Sequence, residues 1–408
     1  QLRQMVEDAP IVRLTNLIIT QALQKQASDI HIEPLEEKAK MRVRVDGILH
    51  DVLFLPLSNY NSILSRIKLL AGAKLNISDK PQDGRFTISV GKFDVEVRVS
   101  TIPAEHGESI VMRLLNPQSL IDLEELGVRD SLAQDFKEQI KKPNGMILVT
   151  GPTGSGKTTT LYTMMDILDT PQVNISTIED PIEYRMPRIN QTQVNRDVGL
   201  NFATGLRALV RQDPDIIMVG EIRDGETAAL ATNAALTGHL VLSTLHTTNA
   251  AGAIPRLIDM GTKPFLISST LNVVVAQRLV RELEEPKETY TLDKERIEDL
   301  KNYCEVDKIL NILKEKGIAE PDDDFGDVEF YRPPEGTEEG EGYEGRVGIY
   351  EVLSVNESIK EMITAEATTD EIHRQARSEG MRTMIEDGFI KAAQGITSIE
   401  EVLRVTME

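Results

Sequence analysis

Hydrophobic spacing changes character along this chain. Between residues 1 and 27 a polar turn leads into Ile11, Leu14, Ile18 and Leu23, which recur at helical intervals and predict an amphipathic helix. From Ser28 the period shortens to two. Residues 30–32, 41–45 and 48–55 predict strands, with Asp46-Gly47 as a hairpin turn. Residues 62–70 predict a helix. Three more strands are expected at 85–90 and 93–99, joined through Gly91, and at 109–114. These elements make a small α+β domain over residues 1–115. Asn116-Pro117 and the acidic run Asp122-Leu123-Glu124-Glu125 then predict a linker over 116–134.

Past residue 134 apolar runs alternate with longer amphipathic stretches. Strands are expected at 146–150, 173–178, 215–219 and 240–245, with segments between them long enough for crossover helices. That pattern predicts an α/β fold with a parallel sheet over 135–408. Residues 282–345 break it. They are Glu-rich, helical around 292–316, and end in Pro333-Pro334 and several glycines. We expect a surface insertion held by Ile297, Leu300, Ile309, Leu310 and Leu313, with a mobile tail over 321–342. The end of the chain predicts a short strand near 347, then helices over 351–408.

Composition narrows the classes. The 408 residues carry a formal net charge of −21, which disfavours a stable nucleic-acid partner except through a local basic groove. The one cysteine, Cys304, excludes an internal disulfide framework and suits a reducing cytoplasm. No apolar stretch reaches the length of a membrane span, and no signal peptide is visible. The sequence starts with Gln, so an upstream region is expected to be missing.

The strongest chemical signal is Gly151-Pro152-Thr153-Gly154-Ser155-Gly156-Lys157-Thr158, followed by Thr159. It fits the phosphate-binding pattern G-x-x-x-x-G-K-[ST] between a strand and a helix. Glycines let successive N–H groups face phosphate oxygens, and the helix N-terminus adds positive potential. Lys157 would reach the outer phosphates and the Thr158 hydroxyl would ligate Mg²⁺. Asp215-Ile216-Ile217-Met218-Val219-Gly220-Glu221 is an apolar strand ending in an acid, the form of a Walker B segment, with Glu221 as a second metal-side group. Glu179, Asp180 and Glu183 follow the preceding strand, where one carboxylate can position or deprotonate attacking water. His239 and His246 flank the next strand. Such histidines are commonly structural; beside a nucleotide they can sense phosphate.

These segments together resemble the ATPases of type II secretion and type IV pilus assembly. The matching stretches include Ser28-Asp29-Ile30-His31-Ile32-Glu33, Arg44-Val45-Asp46-Gly47, Pro81-Gln82-Asp83-Gly84-Arg85 and Arg98-Val99-Ser100 with His106-Gly107-Glu108. Further on come the phosphate loop, the acidic segment 179–183, Gln212-Asp213-Pro214-Asp215 and Gly220-Glu221-Ile222-Arg223-Asp224. Thr237-Gly238-His239, 244–248 and Gly345-Arg346-Val347-Gly348-Ile349-Tyr350-Glu351 complete the series. The resemblance implies a PAS-like N-terminal domain and a RecA-like motor domain. It implies a homo-hexameric, ATP- and Mg²⁺-dependent ATPase at the cytoplasmic face of the inner membrane, attached there through a platform protein. By its motifs Glu183 is the catalytic glutamate, Glu221 the Walker B acid, and His239 and His246 a histidine pair. Arg98, Arg113 and Arg207 match arginines that approach the phosphates.

Pilus assembly is the first reading and type II secretion its near alternative. A pilus retraction motor, a DNA-translocating ATPase and a non-catalytic nucleotide-gated scaffold are the others weighed. One departure stands out. Many assembly and secretion members carry two Cys-x-x-Cys pairs for Zn²⁺ after the segment seen here as Gln277-Arg278-Leu279-Val280. This chain has Glu284-Glu285-Pro286-Lys287 and Glu335-Gly336-Thr337-Glu338 there, so no zinc is expected.

Overall fold

The computed structural model describes residues 11–90, 93–115, 122–128, 130–337 and 341–407. The expected turn at Gly91, the Asn116-Pro117 dipeptide, the first ten residues and Glu338 lie outside them. The chain divides into two compact units, residues 1–119 and 120–408.

The first unit is a six-stranded antiparallel sheet. Its strands are β1 (Asp29–Pro34), β2 (Lys38–Val45), β3 (Ile48–Pro56), β4 (Gln82–Val90), β5 (Phe93–Ala104) and β6 (Gly107–Leu115), in the order β3-β2-β1-β6-β5-β4. The β2–β3 turn holds Asp46 and Gly47 both at positive φ, 48° and 87°. That is the backbone a two-residue hairpin turn needs to match strand twist. Alternate strand residues, among them Ile30, Ile32, Met41, Val43, Val97, Val99, Ile110 and Met112, bury one face. Leu14, Ile18 and Ile19 of helix Ile11–Gln24, and Tyr60, Ile63 and Ile67 of helix Leu57–Leu70, complete that core. The second helix starts earlier than its apolar spacing suggests, directly after Pro56.

The second unit contains a seven-stranded sheet in the order β15-β12-β7-β11-β10-β8-β9. The strands are β7 (Gly145–Thr150), β8 (Ile175–Glu179), β9 (Asn190–Gln193), β10 (Ile216–Val219), β11 (Leu240–Leu245), β12 (Leu271–Leu283) and β15 (Tyr343–Ser354); β13 (Glu288–Tyr290) and β14 (Phe330–Arg332) form a separate pair. Every sheet neighbour is parallel except β15, which runs antiparallel to β12. β7, β8, β10 and β11 are buried throughout, as expected of parallel strands covered by helices on both faces.

Three expectations are corrected. The sheet is wider than the four strands read from the sequence: β9 is a polar edge, and β12 follows helix Pro264–Thr270 without a loop. The late strand is twelve residues long. The stretch after residue 282 is an excursion between the paired strands β12 and β15, and its tail is partly core. Phe325, Val328 and Phe330 are buried, with Phe330 edge-on to Phe389 at 6.1 Å. Leu300, Ile309 and Leu313 are buried in the same cluster, with Ile297 and Leu310 packed against it. A few large apolar residues set in acidic sequence suffice to anchor such a segment.

The linker reading also changes. Leu123, Leu126 and Val128 are buried in the second unit, and the Leu126 carbonyl accepts from Gly348 N–H and the Tyr350 hydroxyl. Helix Asp130–Ile140 follows at once.

Candidate nucleotide site

The phosphate loop leaves the carboxyl end of β7 and enters helix Lys157–Leu168. Gly151 sits at φ 152°, and a Cβ there would lie 2.5 Å from Ser155 Oγ and 2.6 Å from the Gln277 carbonyl. Gly156, at φ 84°, precedes the helix. Only glycine meets both demands, so the loop's shape is written in its glycines. Gln277 of β12 clamps it: its Nε2 donates to the Ser155 carbonyl at 2.5 Å, and its Oε1 accepts from Thr160 Oγ1 at 2.8 Å.

Lys157 is buried, with Nζ donating to the carbonyls of Gly151 and Pro152, both at 2.8 Å. Burial pushes its pKa down to about 8, against the pull of Glu221 and helped by Arg278. Pro152, Thr153, Ser155, Thr158 and Thr159 occupy the loop and first helical turn around it.

Glu221 ends the turn after β10. Ser243 Oγ donates to the Val219 carbonyl, Thr244 Oγ1 to that of Gly220, and Ile222 N–H to that of Thr244, so β11 fixes this turn. The Glu221 carboxylate lies 2.6 Å from Arg223 Nε and 3.5 Å from His246 Nε2. The hydrogen bond to Glu221 raises the Arg223 pKa. Lys157, Glu221, Arg223, Arg278 and His246 therefore share one end of the sheet, outside the carboxyl ends of β7, β10 and β11. Ligands of open α/β sheets bind there. A hydroxyl and a carboxylate, Thr158 and Glu221, are hard oxygen donors that fit Mg²⁺, which keeps most of its waters. When bound, Mg²⁺ would neutralise phosphate charge between them. Among the described residues no group of three or more His, Cys, Asp or Glu is placed to hold a metal ion, and the excursion offers no thiolate set for zinc.

The other candidates divide. Glu183 is half-buried after β8, its N–H donating to the Tyr162 hydroxyl at 3.2 Å. Glu179 is fully enclosed: it accepts from Tyr162, Thr177 and Gln191. Burial raises its pKa despite those donors. Glu179 thus braces the loop carrying Glu183. His239 lies at the amino end of β11, with Nδ1 2.9 Å from the Ala234 carbonyl and its own carbonyl accepting from Gly145 N–H. The fold does not bring it to the phosphate loop of its own chain. Arg207 pairs with Glu226 at the start of helix Gly225–Leu236.

Arg98 and Arg113 belong to the first unit and stand directly opposite each other on β5 and β6. The same row continues to Arg85 on β4, and through Asp29 on β1 to Arg44 on β2. Asp29 takes Arg113 at 3.0 Å and Arg44 at 3.6 Å, while Arg98 lies 3.5 Å from Glu96. Sequence reasoning named two of these arginines and missed the row. It also quoted Gln277 and Arg278 without assigning either a role, because a polar pair in an apolar run has no signature of its own.

The fold and site define a phosphate-loop α/β protein with an antiparallel N-terminal unit, and the comparisons agree. Residues 4–404 match the model of the type II/IV secretion system protein family, and the chain belongs to that family. Type II secretion system protein E of Xanthomonas campestris is 47% identical over 99% of this chain and 69% of its own length. The type IV pilus assembly ATPase PilB of Thermus thermophilus is 45% identical over 99% of this chain and 44% of its own. Among solved structures, the pilus retraction motor PilT with bound ADP matches at TM-score 0.61 and 28% identity, covering 95% of each chain. The Legionella pneumophila ATPase DotB shares the fold at TM-score 0.69, covering 98% of each chain at 23% identity.

Proposed function

We propose that this chain is a Mg²⁺-dependent ATPase motor that works as a hexamer on an inner-membrane platform protein, driving pilus extension or the related growth of a secretion pseudopilus. The observation that supports it most is the convergence of Lys157, Glu221 and His246 beside an intact phosphate loop. Lys157 would leave the loop carbonyls for the outer phosphates. Thr158 and Glu221 would hold the metal, the latter through water. Glu183 would orient the attacking water, and His246, beside Glu221, would follow the charge at the phosphate end. The arginine row of the first unit is a cation source on a strongly acidic protein. Arginines supplied from one unit to a nucleotide on another make turnover depend on closure. Arg207 is proposed in the same role from the second unit, once released from Glu226.

The test is Mg²⁺-dependent phosphate release by the purified chain, with subunit number measured by mass photometry with and without nucleotide. Turnover that survives Glu221→Gln unchanged, or a chain that stays monomeric at every nucleotide state, would overturn this reading.

A further inference from the structure

The backbone ladder between β7 and β11 ends on the pair Thr150 and Leu245. The residue after Thr150 is Gly151, which turns into the phosphate loop at φ 152°. Where the ladder stops, the Thr150 side chain takes over. Thr150 is fully buried, and its Oγ1 accepts from Thr247 N–H at 2.8 Å. The Thr247 carbonyl at 3.0 Å and the Thr247 hydroxyl at 2.6 Å lie within reach of its single proton. Thr247 Oγ1 in turn donates to the Asn249 carbonyl at 3.0 Å. His246 sits between Leu245, paired with Thr150 in the ladder, and Thr247, bound to the Thr150 side chain. One residue of β7 therefore fixes both chain neighbours of His246.

On its other side β11 is tied to the turn that carries Glu221. Thr244 Oγ1 donates to the Gly220 carbonyl at 2.8 Å, and Ile222 N–H donates to the Thr244 carbonyl at 3.0 Å. The imidazole of His246 then stands 3.5 Å from the Glu221 carboxylate. The stretch beyond is secured without Thr150: Glu351 accepts from Ala250 N–H and Asn249 Oδ1 from Gly252 N–H, both at 2.8 Å. Ala250 and Ala251 are fully buried there. A strand residue needed only for packing could be valine, which has nearly the same shape and suits a strand equally well. What the hydroxyl adds is a bond between the residue before the phosphate loop and the residue after His246. We propose, resting on the nucleotide reading above, that Thr150 is a positioning residue for the hydrolytic step. It holds the backbone of His246 in place between the phosphate loop and Glu221, and so acts on turnover through His246 rather than on nucleotide binding.

The experiment measures kcat and KM for ATP on the full chain, with Tm recorded for every variant. Thr150→Val keeps the shape and removes the hydroxyl. Its kcat should fall roughly 3- to 10-fold, the span of one lost neutral hydrogen bond, with KM within about 2-fold of wild type. Thr150→Ser keeps the hydroxyl and should recover most of the rate. The deciding measurement is the double variant of Thr150→Val with His246→Ala. If Thr150 acts through His246, the double variant should turn over within about 2-fold of His246→Ala alone, because sites in one network are not additive. Losses that multiply, a raised KM at unchanged kcat, or a lowered Tm at wild-type turnover would overturn the proposal and leave a hydrogen bond that serves only the fold. A serine variant as slow as the valine variant would overturn it too. A wild-type chain that released no phosphate would instead remove the ATPase reading, and this proposal with it.

Discussion

The two ends of β11 carry a histidine each, and their surroundings have little in common. At the amino end, His239 is absorbed into backbone closure: its ring caps the Ala234 carbonyl and its own carbonyl receives Gly145 N–H. At the carboxyl end, His246 faces Glu221, which in turn faces Arg223 and pulls on Lys157. One end uses polar atoms to finish a helix and start a strand. The other gathers charged side chains, with Arg223 and His246 set against the Glu221 carboxylate. In a parallel sheet every strand exits at the same edge, so loops with chemistry collect there and the opposite edge is left to packing. Residue type alone does not separate the two histidines; the strand direction does.

The largest expected break in that contrast comes from Lys157→Ala. The outer phosphates would lose their main cation, and both nucleotide binding and phosphate release should drop to background in a folded chain. Near-normal affinity measured with a fluorescent nucleotide would show that the carboxyl end is not organised around a phosphate. Glu183→Gln should come next. The amide is nearly isosteric but accepts no proton, so affinity should hold while turnover falls roughly 10²-fold or more. Glu179→Gln is its internal control. Because Glu179 is buried under three donors, its replacement should act mainly on thermal stability. If Glu179→Gln stopped turnover while Glu183→Gln did not, the roles of the two carboxylates would be exchanged.

What the sequence alone could show follows from how each feature is encoded. The phosphate loop is local: a strand, three glycines, a lysine and a helix start within a dozen residues, so spacing suffices. The largely apolar strands β7, β10 and β11 are equally plain. β12 is harder, because Gln277 and Arg278 interrupt its apolar run and their partners, Ser155, Thr160 and Thr248, are distant in sequence. The arginine row was half legible for the same reason: Arg98 and Arg113 are adjacent only through strand register. In the excursion, charge dominates the composition and hides Phe325 and Phe330, whose role is set by Phe389 far down the chain. Averages over a window report solvent-facing charge well and single anchoring aromatics poorly.

His246→Ala should have a smaller effect than the Glu183 change. His246 touches Glu221 at 3.5 Å and is half-exposed, so its loss weakens an arrangement without removing a reacting group. A turnover loss of about 10-fold with near-normal affinity is expected, the size of one modest electrostatic contact. A loss as deep as that of Glu183→Gln would mean that His246 handles a proton itself.

The smallest effect within one chain belongs to His239→Ala, which is also the sharpest test of the contrast. Its Nδ1 bonds a helix-end carbonyl, a role worth about 1 kcal/mol or less to folding. Nucleotide affinity and turnover of an isolated subunit should therefore stay within about 2-fold of wild type, while the melting temperature falls slightly. His239→Asn, which can still donate to the Ala234 carbonyl, should recover that stability. Assembly adds a second measurement. If turnover is normal in dilute protein but drops once subunits associate, His239 acts across a subunit boundary, and the amino end of one sheet serves the site of a neighbour. If turnover drops equally at every concentration, the two ends of β11 are coupled within the chain, and the division drawn between them is wrong.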